Sequence, residues 1–487
     1  MSAYEFVSMA RSFLPHGLSQ IFLLPPSPAD WLPEDHLAYQ LMDVVGELDM
    51  SVFLSSYSLD GRGAPAYSPL MMVALFLYAW MHDVYSSRKI ELLCHQDVGA
   101  RVICGGNLPD HRSINRFRQV HNAALEALFD QSVRLCQEAG MVSLSSVAID
   151  GSKIEANASK RKAMSYARMV TDEEKIKAQI EGYFRRAAEE DAAEDALYGP
   201  DKTGRELPDH LRTRQGRLAK IREAKAALEA EAKAAADAKE KEREAKVAAA
   251  GGKLAGKKPK IDPDPKPSAQ KSFTDPESRI MKNGKGAFIQ GYNGQIAVDA
   301  DHQIIVACAL SQQAADVVHI VPLVGQIFEQ TGFSPSRVMA DGGYFSSENI
   351  LALDAQNIEV LIPPDRERCG TPDNPAPPLT TEELAALTPI DQMRHRVSTQ
   401  EGREAYARRK TIVEPVFGQM KGSTGNPGFM GFLRRGLQKC TSEWHCVCAS
   451  HNIAKYLRFK NAKPKTPTRI STKATVKSGY TQVAMAL

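Results

Sequence analysis

Two short apolar runs, 147–149 and 337–340, each lead into an aspartate that is followed at once by glycine: Asp150-Gly151 and Asp341-Gly342. Runs of this kind read as strands. A strand that stops at Asp-Gly points its carboxylate off the sheet edge, and the glycine lets the chain turn without a Cβ clash. Taken singly, an aspartate after a strand is an ordinary turn former or helix cap. A pair matters because hard divalent cations such as Mg²⁺ are held by carboxylates converging from separate elements, as phosphoryl-transfer chemistry requires.

The pattern around these runs predicts a mixed α/β domain. Strands are expected at 142–149, at 287–298 and 303–310 joined by the turn Asp299-Ala300-Asp301-His302, at 337–340 and at 358–362, with helices at 315–330 and 346–356. Upstream the pattern is helical. A proline-rich lead-in gives way to a short helix near 36–48, and Ser68-Pro69 opens an apolar helix that runs to about Val84. Ser86 or Ser87 caps the next helix, and Asp110 another that carries Arg112, Arg116 and Arg118. A basic helix of this kind can dock on DNA phosphates or guanine edges, or be a solvated face.

Between the first two strands lies a charged insertion, roughly 160–275. Thr171 and Glu174 carry a capping-box signature before a helix with Ile176, Ile180 and Phe184 on one side, Gly199-Pro200 breaks it, and a second helix rich in Ala, Lys and Glu follows from Arg205 to about Ala250. Leu218, Ile221 and Leu228 form its thin apolar seam. An antiparallel hairpin arm, structural rather than DNA-reading, is expected, followed by a basic linker.

With 487 residues, 43% of them hydrophobic, the chain can bury a sizeable core in two or three domains. A formal net charge of +3 neither demands nor excludes nucleic acid. The eight cysteines form no CxxC pair, so reduced thiols in a cytoplasmic protein are expected. Cys440, His445, Cys446, Cys448 and His451 scatter around one helical segment rather than sharing a face, so small buried cysteines are expected there, not a zinc site. The longest apolar run, near 71–81, is too short to cross a bilayer, so no membrane partner is expected.

The segments GYNGQIAVDADHQIIVACALSQQAADVVHIVPLV, ADGGYFSSENI, LIPPDRER and RRKTIVEPVFGQMKG together resemble bacterial insertion-sequence transposases of the DDE class, and the likeness continues upstream through YSPLMMVALFLYAWMHDVYSSRKIELLCHQDVGARVICGG and PDHRSINRFR. The resemblance covers most of the chain from about Tyr67 to Lys455, apart from the insertion. It implies a ribonuclease-H-like mixed sheet as catalytic core behind an all-α N-terminal domain, with the first and fourth core strands adjacent, which would join Asp150 to Asp341.

In that family Asp150, Asp341 and Glu414 take the places of the three metal-binding catalytic acids. They would hold two Mg²⁺ ions, for which Mn²⁺ can substitute, and act on double-stranded DNA at terminal inverted repeats and a target site, as a homodimer or larger assembly on paired ends. The implied route is cleavage of phosphodiester bonds at the element's ends, then strand transfer, in a bacterial cytoplasm with nucleoid association when on DNA. Tyr406, Arg409 or Lys410, Glu414 and Lys421 resemble the family's Tyr-Arg-Glu-Lys signature, although Arg409 to Glu414 is one residue longer than the commonest form. Glu414 and Lys421 fall on nearly one helix face. Lys153, Asn157 and Trp444 are further candidates for DNA contact, with a partly buried aromatic favoured for Trp444, and Asp316 lies in a family-like motif with only capping or support as its physical role.

Pro415 fits this scheme if Glu414 sits in the first turn of its helix; a proline deep inside a helix, with Glu414 facing solvent, would break it. The implied division is a lead-in at 1–66, a helical DNA-binding or dimerisation domain at 67–140, the catalytic domain at 141–159 and 276–459, the insertion at 160–275 and a basic, disordered tail at 460–487. Two other readings use the same parts: a ribonuclease-H-like DNA endonuclease that cuts without joining, and a catalytically silent, domesticated DNA-binding protein.

Overall fold

The computed structural model describes residues 28–57, 65–158, 163–198, 209–249, 262–284, 286–364, 375–422 and 428–462. The chain divides into two compact units, Met1–Val120 and His121–Leu487. The Gly199-Pro200 breaker and most of the expected tail lie outside the described residues.

The first unit contains α1 (Leu37–Glu47), α2 (Ser51–Leu54), α3 (Pro69–Met81), α4 (Ser87–Gln96), α5 (Val98–Cys104) and α6 (His111–Val120). The central α3 is buried on every side from Met71 to Trp80, which is why it shows no amphipathic stripe in sequence. Ala38, Leu41, Val44 and Val45 of α1 are buried, and α1 lies against α3, so part of the expected lead-in belongs to this helical unit. Asp110 caps α6 as expected, its carboxylate accepting from the Ser113 amide at 2.7 Å.

The second unit runs α7 (Asn122–Glu138), β1 (Val147–Glu155), β2 (Ala163–Ser165), α8 (Tyr166–Tyr198), α9 (Asp209–Ala249), β3 (Gln270–Ser272), β4 (Arg279–Lys282), β5 (Phe288–Asp299), β6 (Ile305–Ser311), α10 (Ile320–Thr331), β7 (Arg337–Ala340), α11 (Ser347–Asp354), β8 (Glu359–Leu361), α12 (Thr381–Ala386), α13 (Pro389–Ser398), α14 (Gln400–Met420) and α15 (Leu437–Ala462). α7, expected in the helical domain, instead packs on α15 within this unit.

The main sheet has the order β4-β5-β1-β7-β8, and β6 also pairs with β5. β1 is antiparallel to β5 and parallel to β7, and β7 is parallel to β8. The first and fourth core strands are therefore neighbours, as the ribonuclease-H-like expectation requires. Side chains alternate across β1. Val147 and Ile149 join the core formed with α10, α11 and Met393 of α13, while Asp150 and Ser152 face α14.

One strand departs from expectation. β1 starts at Val147 and continues through Asp150 to Glu155, because its pairing with β5 runs unbroken from Val147 opposite Asp299 to Glu155 opposite Gly291. Gly151 does not turn the chain. A Cβ there would lie 2.2 Å from Nε2 of Gln295, its cross-strand partner, so glycine is needed for close approach.

The insertion forms the expected antiparallel hairpin. Tyr166 at the start of α8 meets Glu229, whereas Asp172 and Glu173, two turns on, meet Arg217, Arg222 and Lys225, all earlier in α9, so the two helices run antiparallel. Met169, Ile176, Ile180, Leu218, Ile221 and Leu228 give the arm its own core. The capping-box expectation at Thr171 fails, since α8 already begins at Tyr166 and the Thr171 hydroxyl donates to the Ala167 carbonyl one turn back. The short β2–β3 ribbon closes the arm's base.

Candidate active site

Asp341 sits directly after β7, where the strand gives way to a tight 3-10 turn over Gly342–Tyr344. Its Oδ1 accepts the Gly343 amide at 2.9 Å, so the carboxylate caps the turn and is aimed off the strand end. β1 and β7 pair in register as far as Ile149 opposite Ala340; Asp150 follows within β1 and Asp341 follows the end of β7, and each lies close enough for the Asp341 charge to act on Asp150. Parallel in-register neighbours present their side chains on the same face, so the two acids stand side by side.

Asp150 is partly enclosed, with its side chain 23% exposed, and its Oδ1 accepts the Gly151 amide. Burial pushes its carboxyl up to about 6; the Arg409 guanidinium and the Gly151 amide pull the other way, and the negative charges of Asp341 and Asp316 add to the rise. Two adjacent hard oxygen ligands, one disfavoured as a bare charge, fit a divalent cation that takes its remaining ligands from water and phosphate. No group of three or more His, Cys, Asp or Glu side chains among the described residues is gathered closely enough to hold a metal ion.

Behind the aspartates lies a polar cluster. Oδ1 of Asp316 accepts Lys153 Nζ, Asn293 Nδ2 and Gln295 Nε2, each at 2.8 Å. Tyr344, in the turn after Asp341, donates its hydroxyl to Gln295 Oε1, and burial drives that phenol's pKa well up. Sequence reading gave Asp316 no firm task and missed Asn293 and Gln295. Their signal was present: both lie in a long strand that is buried from its second residue on, and a carboxamide in a buried strand needs partners.

Helix α14 crosses the other face of β1. Arg409 is only 7% exposed, and its Nη1 lies 3.6 Å from Asp150 Oδ2. It therefore faces the aspartates, and is not free on the surface as a DNA-backbone contact. Its guanidinium also lies 5.7 Å from the ring centre of half-buried Tyr406. Lys421 Nζ donates to Ser152 Oγ at 2.7 Å, two residues along β1 from Asp150, and burial lowers its pKa while Asp150 raises it. Lys410 is exposed.

Glu414 does not stand where the three-acid scheme requires. Pro415 lies inside α14, well past its middle, and Glu414 is exposed, with no described contact to either aspartate. Pro415 is therefore not in the first turn of its helix, and the expected first-turn placement of Glu414 does not hold. The helix survives its proline because the carbonyl that Pro415 cannot serve, that of Thr411, accepts Gln303 Nε2 from the β5–β6 turn at 3.0 Å. With this repair the helix continues, and Glu414 stays on nearly the same side as Lys421, two turns away.

Other candidates resolve into structure. Arg118 is 5% exposed, donates to the Tyr85 carbonyl and lies over the rings of Phe76 and Trp80, so it is a core residue of the first unit and not a DNA reader. Arg112 and Arg116 are exposed on the same helix. Trp444 is 1% exposed with its indole N–H on the Gln295 carbonyl, so it is the buried aromatic favoured above and not a DNA contact. Lys153 is spent on Asp316, and Asn157 is tied to Leu433 and Arg435. Cys440, Cys446 and Cys448 are all buried.

Residues 26–120 match the family described as Transposase domain (DUF772), and residues 256–452 match Transposase DDE domain. Asp341 and Glu414 fall within the second match, whereas Asp150 falls in neither, so its pairing with Asp341 rests on the sheet. No curated protein and no solved structure matches the chain. The helical match precedes the DDE match in the order that the two folded units follow, and the chain belongs to the insertion-sequence DNA transposases of the DDE class.

Proposed function

We propose that Asp150 and Asp341 are the metal-holding acids of this transposase and that Glu414 serves as a third acid only once DNA engages the site. The observation that carries this reading is that the two aspartates immediately follow the last in-register pair of β1 and β7, Ile149 opposite Ala340. Two Mg²⁺ ions, or Mn²⁺ in their place, would supply Lewis acidity for in-line displacement at phosphorus. The chain's own residues do the rest. The turn at Gly342–Tyr344 fixes one carboxylate, Arg409 holds the other by charge, and Lys421 offers an ammonium to an incoming phosphate from the same face.

Water attacks the phosphodiester at the element's end, the bond to the 3′ oxygen breaks, and the freed 3′ hydroxyl attacks target DNA, displacing another 3′ oxygen. Both steps are the same displacement, so one site serves both. Tyr406 and Lys410 line the approach along α14. The first unit, with Arg112 and Arg116 exposed on α6, is assigned to docking on terminal repeats, the arm to support, and the active form to a dimer or larger assembly on paired ends in the bacterial cytoplasm.

DNA from the gene's own flanks, incubated with the full chain and Mg²⁺, should be nicked and joined by wild type and not by Asp341→Ala. Nicking without joined products would point to an endonuclease, and binding without metal-dependent chemistry to a silent DNA-binding descendant. Normal cutting by Asp341→Ala would remove that residue from the site.

A further inference from the structure

We propose that Asp316 is a positioning residue for both aspartates, acting by contact and hydrogen bonding rather than as a metal ligand. This inference rests on Asp150 and Asp341 holding the metal. Each is followed by a segment that touches Asp316. A Cβ at Gly151 would lie 3.0 Å from Asp316 Oδ1, and one at Gly343 would lie 3.7 Å from Asp316 Oδ2 and 2.9 Å from Asp341 Oδ1. One carboxylate is thus wedged against the backbone beside each acid, on the side of the sheet away from α14.

The wedge is itself held. Lys153, three residues beyond Asp150, supplies an ammonium, and Asn293 and Gln295 of β5 supply carboxamide donors, all to the same oxygen. Gln295 then accepts from Tyr344, whose turn carries Asp341. The Asn349 side chain ties the Val317 carbonyl, beside Asp316, to that of Tyr344. The strand bearing one acid and the turn bearing the other are therefore linked through Asp316 by hydrogen bonds, as supporting residues are around metal ligands generally.

This arrangement separates geometry from charge. In Asp316→Asn the amide oxygen can keep all three donors, with the amide nitrogen at the position of Oδ2, which accepts no described hydrogen bond. In Asp316→Ala the wedge and the bonds both go. Calorimetric titration of the full chain with Mn²⁺, alongside thermal melting, should show Asp316→Ala binding about 10–100-fold more weakly, with Asp316→Asn restored to within about threefold of wild type. Gln295→Ala, which cuts the link to Tyr344, should weaken binding in the same direction and guards against a failure of Asp316→Ala to fold.

Wild-type affinity in Asp316→Ala or Gln295→Ala would overturn the proposal, and so would Asp316→Asn losing as much as Asp316→Ala, since charge would then be what matters. Asp150→Ala is the control. If it binds Mn²⁺ as wild type does, the metal reading fails first, and the role of Asp316 falls with it.

Discussion

Arg409 approaches Asp150 to 3.6 Å from the helix side of the sheet, and Nε and Nη1 of that buried guanidinium donate to no described atom. The pair is an attraction without a hydrogen bond, and it sets a positive charge beside the aspartate proposed as a metal ligand. Because burial still dominates and lifts the Asp150 carboxyl to about 6, protons compete with metal near neutrality. Mn²⁺ affinity of the free chain should therefore climb as pH rises through about 6, with about a tenfold loss per unit on the acid side. Arg409→Ala removes the largest influence holding that pKa down, so the midpoint should move upward. A midpoint that stays put would show that Arg409 does not act on Asp150.

The same raised pKa makes Asp150 a burden on the metal-free fold. Its folded value lies above its ordinary 3.8, so the stabilising contribution of the protonated group is complete below about pH 4 and is lost as pH rises through about 6. Asp150→Asn should thus abolish cleavage and yet stabilise the metal-free chain, by about 1–3 kcal/mol at pH 7 and by little at pH 4. Denaturant titrations at the two pH values measure the difference. Equal stabilities at pH 7 would contradict the enclosed environment of this carboxylate.

Glu414 provides a cleaner separation of binding from chemistry. It is exposed, so under the proposal it should contribute to neither core nor metal affinity in the free chain. Glu414→Gln should melt within about 0.5 kcal/mol of wild type and bind Mn²⁺ equally well, while losing DNA cleavage. Retained cleavage would dismiss it as the third acid.

Three arginines of α6 that look alike in sequence should respond differently. Arg118 fills a buried slot between Phe76, Trp80 and the Tyr85 carbonyl, so Arg118→Ala should cost about 2–4 kcal/mol of stability in the first unit. Arg112→Ala and Arg116→Ala should leave melting unchanged, weaken binding to the element's ends, and each reduce the salt dependence by about one ion. Salt titrations that match wild type would place the DNA elsewhere.

Much of the fold was legible because its signals are local. β7, β5, β6 and α11 follow from apolar runs bounded by turn residues, and the hairpin arm from two helical stretches with a thin apolar seam joined by a Gly-Pro breaker. The placement of Asp341 was legible for the same reason. What escaped depends on long-range partners: Gly151 reads as a turn until Gln295 is opposite it, and Pro415 reads as a helix start until Gln303 mends the helix from a different hairpin. Arg118 and Arg409 carry charge in the sequence and burial in the fold, a distinction no spacing rule contains.

The β2–β3 ribbon has a consequence for how the chain finds its shape. β1 is made well over a hundred residues before β5, the antiparallel partner that must cover it, and a flexible loop of that span would leave an apolar strand waiting while a slow, non-local closure took place. The arm has its own core and can form as soon as it is synthesised, and the ribbon then brings Ala163 beside Ser272. From that moment the end of β1 and the start of β4 lie close in sequence to the two strands of the ribbon, so the chain left to close is short. An arm that closes first would act as a clasp, shortening the search for the strand pairing that places the first aspartate.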